Sequence, residues 1–479
     1  MSPTPLPRPR LCPRLLATIV LLTCAAPAGA DPLPPTKEEQ IRIDQAIDKG
    51  VEFLKGAQSE RGDFKWRMYR DGRFLAAQCA LPAYALLEAG VPADDPAIQK
   101  AADFVRAKVP PSDYTYELSL TLLFLDRLGN PRDKKLIQTL ALRLIAGQHH
   151  TGGWSYRCPI LTERGEQDLL DALGRLSKEM RDGKKTREQA LAGMAAPPLL
   201  QALPAFRAGN ALIGREPPEN AHTIAESAER VSLVGRTDNS NTQFALLGLW
   251  AAQRHGVPVE PPFEILVERF ERSQGYPSGM WWYTLDAEAG SRSMICVGLM
   301  ALAVGRGLKM PTAGAALGAK KDVHVLKGLA ALSRRVGKPA GRMDGPIPFH
   351  DLYFLWSLER VAMLYDLPAV GDKDWYRWGA ESLVANQNKG GFWTGASPNP
   401  EWGGKRNYDY RASMSTAFAL LFLKRAHPMK DLTAKLPFTA RELNDGIAAL
   451  RPDDKFPPRP VASPSPSRNR QPGAVPMPK

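Results

Sequence analysis

The residues best equipped for chemistry in this chain share one position, just ahead of long apolar runs. They are Tyr116 and Glu117; Asp238, Asn239, Asn241 and Gln243; Arg292; His350, Asp351 and Tyr353; and Asp409, Tyr410 and Arg411. Groups of these types at a helix start can serve two ends. Aspartate and asparagine cap the unpaired N–H groups of the first turn. The same N–H groups and their partial positive charge also receive anionic or polyhydroxylated ligands. His350, Asp351 and Glu117 carry acid–base chemistry, which requires a titratable group held against its target; spacing in sequence does not supply that placement. Trp154 and Trp282, in nearby turns, offer flat apolar faces that either line a carbohydrate or peptide cleft or pack a hairpin. His149 and His150 adjoin without a third ligand, so no metal site is expected, and no residue pattern requires a cofactor.

The elements that would position these groups repeat. Asp374 to Trp393 reads as an amphipathic helix closed by a Gln-x-x-Gly-Gly-x-Trp turn, and Ala417 to Leu423 follows as a helix apolar nearly all round. The same outer–inner pairing recurs in Ala46 to Trp66 with Ala77 to Leu87, and in Leu136 to Tyr156 with Thr242 to Leu249. It recurs again from Phe263 through Gln274 and Trp281 to Met294–Leu302. Two further pairs lack the Gln-Gly-Trp turn: Ile98 to Val109 with Tyr116 to Leu125, and Val323 to Val336 with Leu352 to Leu364. Each hairpin can bury its apolar face only against its neighbours, so the six predict one all-α unit, an (α/α)6 toroid, rather than several domains.

These turns resemble the prenyltransferase and squalene-cyclase repeat. The runs D-N-S-N-T-Q-F-A-L-L from Asp238 and Y-F-L-W-S-L-E-R-V-A-M-L-Y-D-L from Tyr353 are similar to secreted bacterial members of that family. The resemblance covers roughly Lys37 to Lys430 and implies the terpenoid-cyclase-like toroid. It does not bring the family's chemistries with it. No Asp-x-Asp-Asp run precedes or enters an inner helix. The Asp, Cys and His pattern of the zinc prenyltransferases is absent, as is the Gly-Cys-Gly-Glu-Gln of thioester domains.

The rest of the chain is organised around that unit. Residues 1–30 read as a signal peptide: Arg8 to Arg14, the apolar Leu15 to Leu22, then Ala28-Gly29-Ala30. That apolar run is too short to span a bilayer, and Ala28-Gly29-Ala30 competes with acylation at Cys24, so lipoprotein anchoring is not expected. Residues 31–430 form the toroid, with 157–237 inserted between the third outer and inner helices and carrying an amphipathic helix from Glu166 to Met180. Residues 431–479 are an extension, proline-, serine- and arginine-rich and expected to be disordered from about 451. The net charge of +13 draws on Arg8, Arg10 and Arg14 in the leader and on Arg459, Arg468, Arg470 and Lys479 in the tail. The folded part is then only mildly basic, a solvated surface rather than a nucleic-acid interface. Cys79, Cys158 and Cys296 are expected as buried free thiols.

The expectation is an exported protein of the periplasm or cell envelope, with a glycan, peptide or lipid ligand or a protein partner held at the inner-helix mouth. A binding or scaffold role comes first. A glycan hydrolase or lyase in the central cavity is the alternative, and a terpenoid-cyclase-like enzyme a third reading. Carboxylates facing each other at roughly 5 to 9.5 Å would mark the hydrolase; a cavity floored by Leu, Phe and Met would mark lipid binding.

Overall fold

Two kinds of helix build this chain. The outer kind is α1 (Lys37–Ala57), α3 (Pro96–Lys108), α5 (Lys134–Ala146), α8 (Glu260–Ser273), α10 (Val323–Ser333) and α12 (Trp375–Asn386), of which α1 and α3 carry a single apolar stripe. The inner kind is buried nearly all round: α2 (Leu75–Ala89), α4 (Thr115–Leu128), α7 (Asn239–Gln253), α9 (Arg292–Gly307), α11 (Phe349–Leu364) and α13 (Ala412–Leu423). In α7 every residue from Asn239 to Ala252 is buried, which requires protein on all sides of the helix. The computed structural model describes residues 34–64, 74–183, 187, 189–190, 203, 206, 237–287, 291–308, 322–337, 349–394 and 411–450.

The inner helices pack in the cyclic order α2, α4, α7, α9, α11, α13 and back to α2. The outer helices are tied to one another by the Gln-Gly turns. Gln148 Nε2 donates to its own turn at the Gly152 carbonyl (3.2 Å) and to the Pro262 carbonyl on the next outer helix (2.9 Å). Gln58 does the same to Gly62 and Ala97, and Gln274 to Gly279 and His324. Gln387 closes the circle, reaching from the last turn to the Ala46 carbonyl on α1 at 2.8 Å. The turn glycine in each case has a left-handed backbone and abuts a neighbouring main chain. At Gly391 (φ +82°) an added Cβ would stand 2.5 Å from the Lys49 carbonyl oxygen; only glycine fits both demands. Where the motif is missing after α3, Arg106 makes the link instead, pairing with Asp133 at the start of α5 through two bonds of 2.8 Å.

The insertion contributes α6 (Glu163–Gly183), packed on α5 and α8 with Leu169, Leu173 and Leu176 buried. The stretch beyond residue 430 opens with α14 (Lys430–Thr433) and α15 (Ala440–Ala449). The second of these lies on α10 and is started by a Thr439–Glu442 capping box. These helices lie outside the six expected hairpins, and Thr-x-x-Glu ahead of the second is a helix-start signature. Cys79, Cys158 and Cys296 are free and buried, and burial pushes the Cys158 thiol up to about 12. Among the described residues no helix is long and apolar enough to cross a membrane.

Candidate functional site

At the end of the ring where the inner helices begin, one face of each of five helices meets a shared space. Helical spacing puts Phe74, Ala77, Gln78 and Leu81 on one side of α2, Tyr116 and Leu120 of α4, Ser240 and Phe244 of α7, and Met414 and Phe418 of α13. With Tyr353 of α11 and Tyr156 from the turn after α5, they enclose a cavity of about 210 Å³. Its floor is aromatic. Phe244 stacks on Trp356 with centroids 5.2 Å apart and planes 17° off parallel, and Phe418 lies 5.2 Å from the same indole.

The polar groups at this cavity form a directed chain. The Tyr116 hydroxyl donates to Ser240 Oγ at 2.9 Å, and the Tyr353 hydroxyl donates to Gln243 Oε1. Because the Tyr353 proton is so engaged, Ser240 donates to Tyr353 across 3.1 Å. Gln243 Nε2 then donates to Ser357 Oγ (3.1 Å), which donates to the Tyr353 carbonyl (2.8 Å). Burial raises both phenols well above their ordinary range, so Tyr116 and Tyr353 stay protonated donors.

The carboxylates singled out in the sequence are otherwise engaged. Glu117 is buried and accepts from the Ala76 N–H at 2.8 Å and from the Ser112 hydroxyl, so it caps α2 from the neighbouring helix. Asp238 is the N-cap of α7, accepting from the Asn241 N–H and Nδ2 at 2.7 Å each, and burial raises its pKa. Asp351 pairs with Arg292, whose guanidinium also lies 4.7 Å from the Phe354 ring. Asn239 is held between two structural partners: its Oδ1 accepts from Arg269 at 3.1 Å and its Nδ2 donates to the Trp282 carbonyl at 2.7 Å.

The tryptophans are packing elements. Trp154 is fully buried, its Nε1 donating to the Leu144 carbonyl at 2.7 Å and its N–H to Thr242 Oγ1. Trp282 is half-buried and its ring edge abuts Gly275, where an added Cβ would stand 1.8 Å from Cη2. Arg411 stands at the start of α13. Asp409, Tyr410 and the His350 side chain lie outside the described residues.

Of the sequence candidates, therefore, Tyr116 and Tyr353 line the cavity and Gln243 supports them, while Phe74, Leu81, Leu120, Phe244, Met414 and Phe418 were not among them. The one available signal was the four-residue spacing along the inner helices, such as Tyr116–Leu120 and Met414–Phe418. No carboxylate lines the cavity among the described residues, and no group of three or more His, Cys, Asp or Glu among them could hold a metal ion.

No family model matches this sequence, and no curated protein matches it. Four solved chains do match in structure. One is a type II terpene cyclase from Scytonema, in complex with its product merosterolic acid A. It aligns over 82% of this chain and 99% of its own, with a TM-score of 0.34 and 15% identity. Nothing about activity follows at that distance.

Proposed function

We propose that this protein is an exported binding protein of the cell envelope that holds a small apolar ligand of the lipid class in the aromatic cavity. The observation that carries this reading is the lining: Phe74, Leu81, Leu120, Phe244, Met414 and Phe418, with tyrosine, serine and glutamine as its polar members. Moving apolar surface from water into such a space is favourable by about 25 cal/mol per Å². The Tyr116–Ser240–Tyr353 chain supplies a place for one hydroxyl or carbonyl of a ligand head group. The hydrolase reading gains no support here, because Glu117 is spent on the Ala76 N–H and Asp351 on Arg292. Export rests on the leader-like first thirty residues.

A thermal-shift series tests the proposal. Farnesol and geraniol are set against a muropeptide and a uronate oligosaccharide. A ligand at one hundred times its dissociation constant stabilises the fold by about 2.7 kcal/mol. Stabilisation by the two apolar compounds alone is expected. Stabilisation by the polar compounds with none by farnesol or geraniol would refute it.

A further inference from the structure

The other end of the ring holds a second, chemically opposite cavity. It occupies about 420 Å³ between the C-terminal halves of α2 and α4 and the segments after α7 and α13. Tyr84, Glu88, Asp126, Arg127, Arg254 and His427 supply its polar lining, with Leu123 and Pro428 as apolar contacts. Arg127 Nε donates to Glu88 at 2.8 Å, and Arg254 Nε to Asp126 at 3.1 Å. His427 is kept neutral, its pKa lowered by burial to about 4. The Tyr84 side chain lines the cavity and is only 2% exposed, and its buried hydroxyl has no hydrogen-bond partner among the described residues.

Part of this has an ordinary explanation. Arginines at the ends of α4 and α7 complement the negative ends of those helix dipoles. That accounts for the cations but not for the open volume or for Tyr84. A buried hydroxyl without a partner is destabilising unless something else supplies one. Both guanidinium groups are already matched by carboxylates, so the mouth holds no surplus charge for a counter-ion. It offers donor and acceptor side by side instead, which suits the paired hydroxyls of a polyol.

We propose that this second mouth binds a neutral polyhydroxylated ligand of the sugar class, with the Tyr84 hydroxyl as its buried contact. The site is separate from the apolar cavity and does not depend on the reading given to it.

The test is calorimetric titration of the full chain with glucose, N-acetylglucosamine and cellobiose, each to about 10 mM, which is tenfold above a millimolar dissociation constant. At least one of the three is expected to bind, and Tyr84→Phe to weaken it about tenfold, the effect of one hydrogen bond. Tyr84→Phe removes only an unpartnered atom, so the variant should melt no lower than wild type. Ala77→Leu, which fills the other cavity, should leave sugar binding unchanged. Failure of all three sugars to bind would overturn the proposal. So would binding of acetate or phosphate in their place, or an affinity that Tyr84→Phe leaves intact.

Discussion

Replacing Gln387 by leucine removes the joint that links the last turn to the first helix. Its Nε2 donates to the Ala46 and Gly391 carbonyls, each at 2.8 Å. A hydrogen bond of this kind contributes about 0.5 to 1.5 kcal/mol net, so losing two costs about 1 to 3 kcal/mol, with ~2 as the central value. Urea unfolding reads this directly. With a slope of about 3 kcal/mol/M the midpoint falls by ~0.7 M while the slope is unchanged. Gln148→Leu, at an interior joint with the same two bonds, should fall by a similar amount, since a closed ring has no terminal repeat. A midpoint that drops for Gln148→Leu but stays put for Gln387→Leu would show that the circle is not closed by this contact. If neither moves, the turns do not act as struts.

Three further outcomes follow from the same structure. Gly391→Ala should cost more than Gly129→Ala by urea unfolding. Both glycines have positive φ, worth about 1–2 kcal/mol for a side chain, but only Gly391 also meets a backbone oxygen at 2.5 Å, while Gly129 has nothing within 4 Å. Equal costs would remove the packing argument. Cys79, Cys158 and Cys296 should resist a thiol reagent in the native protein and react in urea, because burial raises all three thiols; rapid native labelling at any of them would contradict their burial.

The last outcome is a pH profile with two opposed limbs. Burial lowers His324 from 6.5 to about 4, so its contribution is complete above pH 6.5 and is lost as pH falls from there towards 4. Glu359 is raised from 4.5 to about 8, burial outweighing the adjacent Arg360. Its contribution is complete below pH 4.5 and is lost as pH rises towards 8. Each slope is at most ~1.4 kcal/mol per pH unit. His324→Gln should make the acid limb of urea midpoints against pH shallower, with His149 and His427, also lowered to about 4 by burial, carrying the rest, and Glu359→Gln should make the alkaline limb shallower; limbs left unchanged by these substitutions would assign the protons elsewhere.

The architecture was legible because its repeat depends on backbone requirements that few residues meet. A glutamine to reach two carbonyls, a glycine at positive φ and an indole donating to the preceding helix leave a visible Gln-Gly-Trp trace. In the first turn Phe64 is the buried aromatic, so the trace there was weaker. Helix α15 is short, and its Thr439–Glu442 capping box is the sequence feature that marks its start. The site was much less legible. Residues with recognisable chemistry near helix starts were recruited as caps and ties, as at Glu117, Asp238 and Asn239. The lining depends instead on which stripe of each inner helix faces the axis. A helix buried on every side, such as α7, carries no polar face from which that phase can be read.

The most direct test of the central claim is the affinity of farnesol for the wild-type protein and for Ala77→Leu by titration calorimetry. Ala77 is buried and lines the aromatic cavity, so the larger side chain takes ligand space while leaving the residues of the Tyr116–Ser240–Tyr353 chain unsubstituted. Saturable binding to wild type, weakened at least about tenfold in a variant that remains folded, is the predicted result. Farnesol that fails to bind wild type, or binds both proteins equally, would contradict the assignment of this cavity as the ligand site.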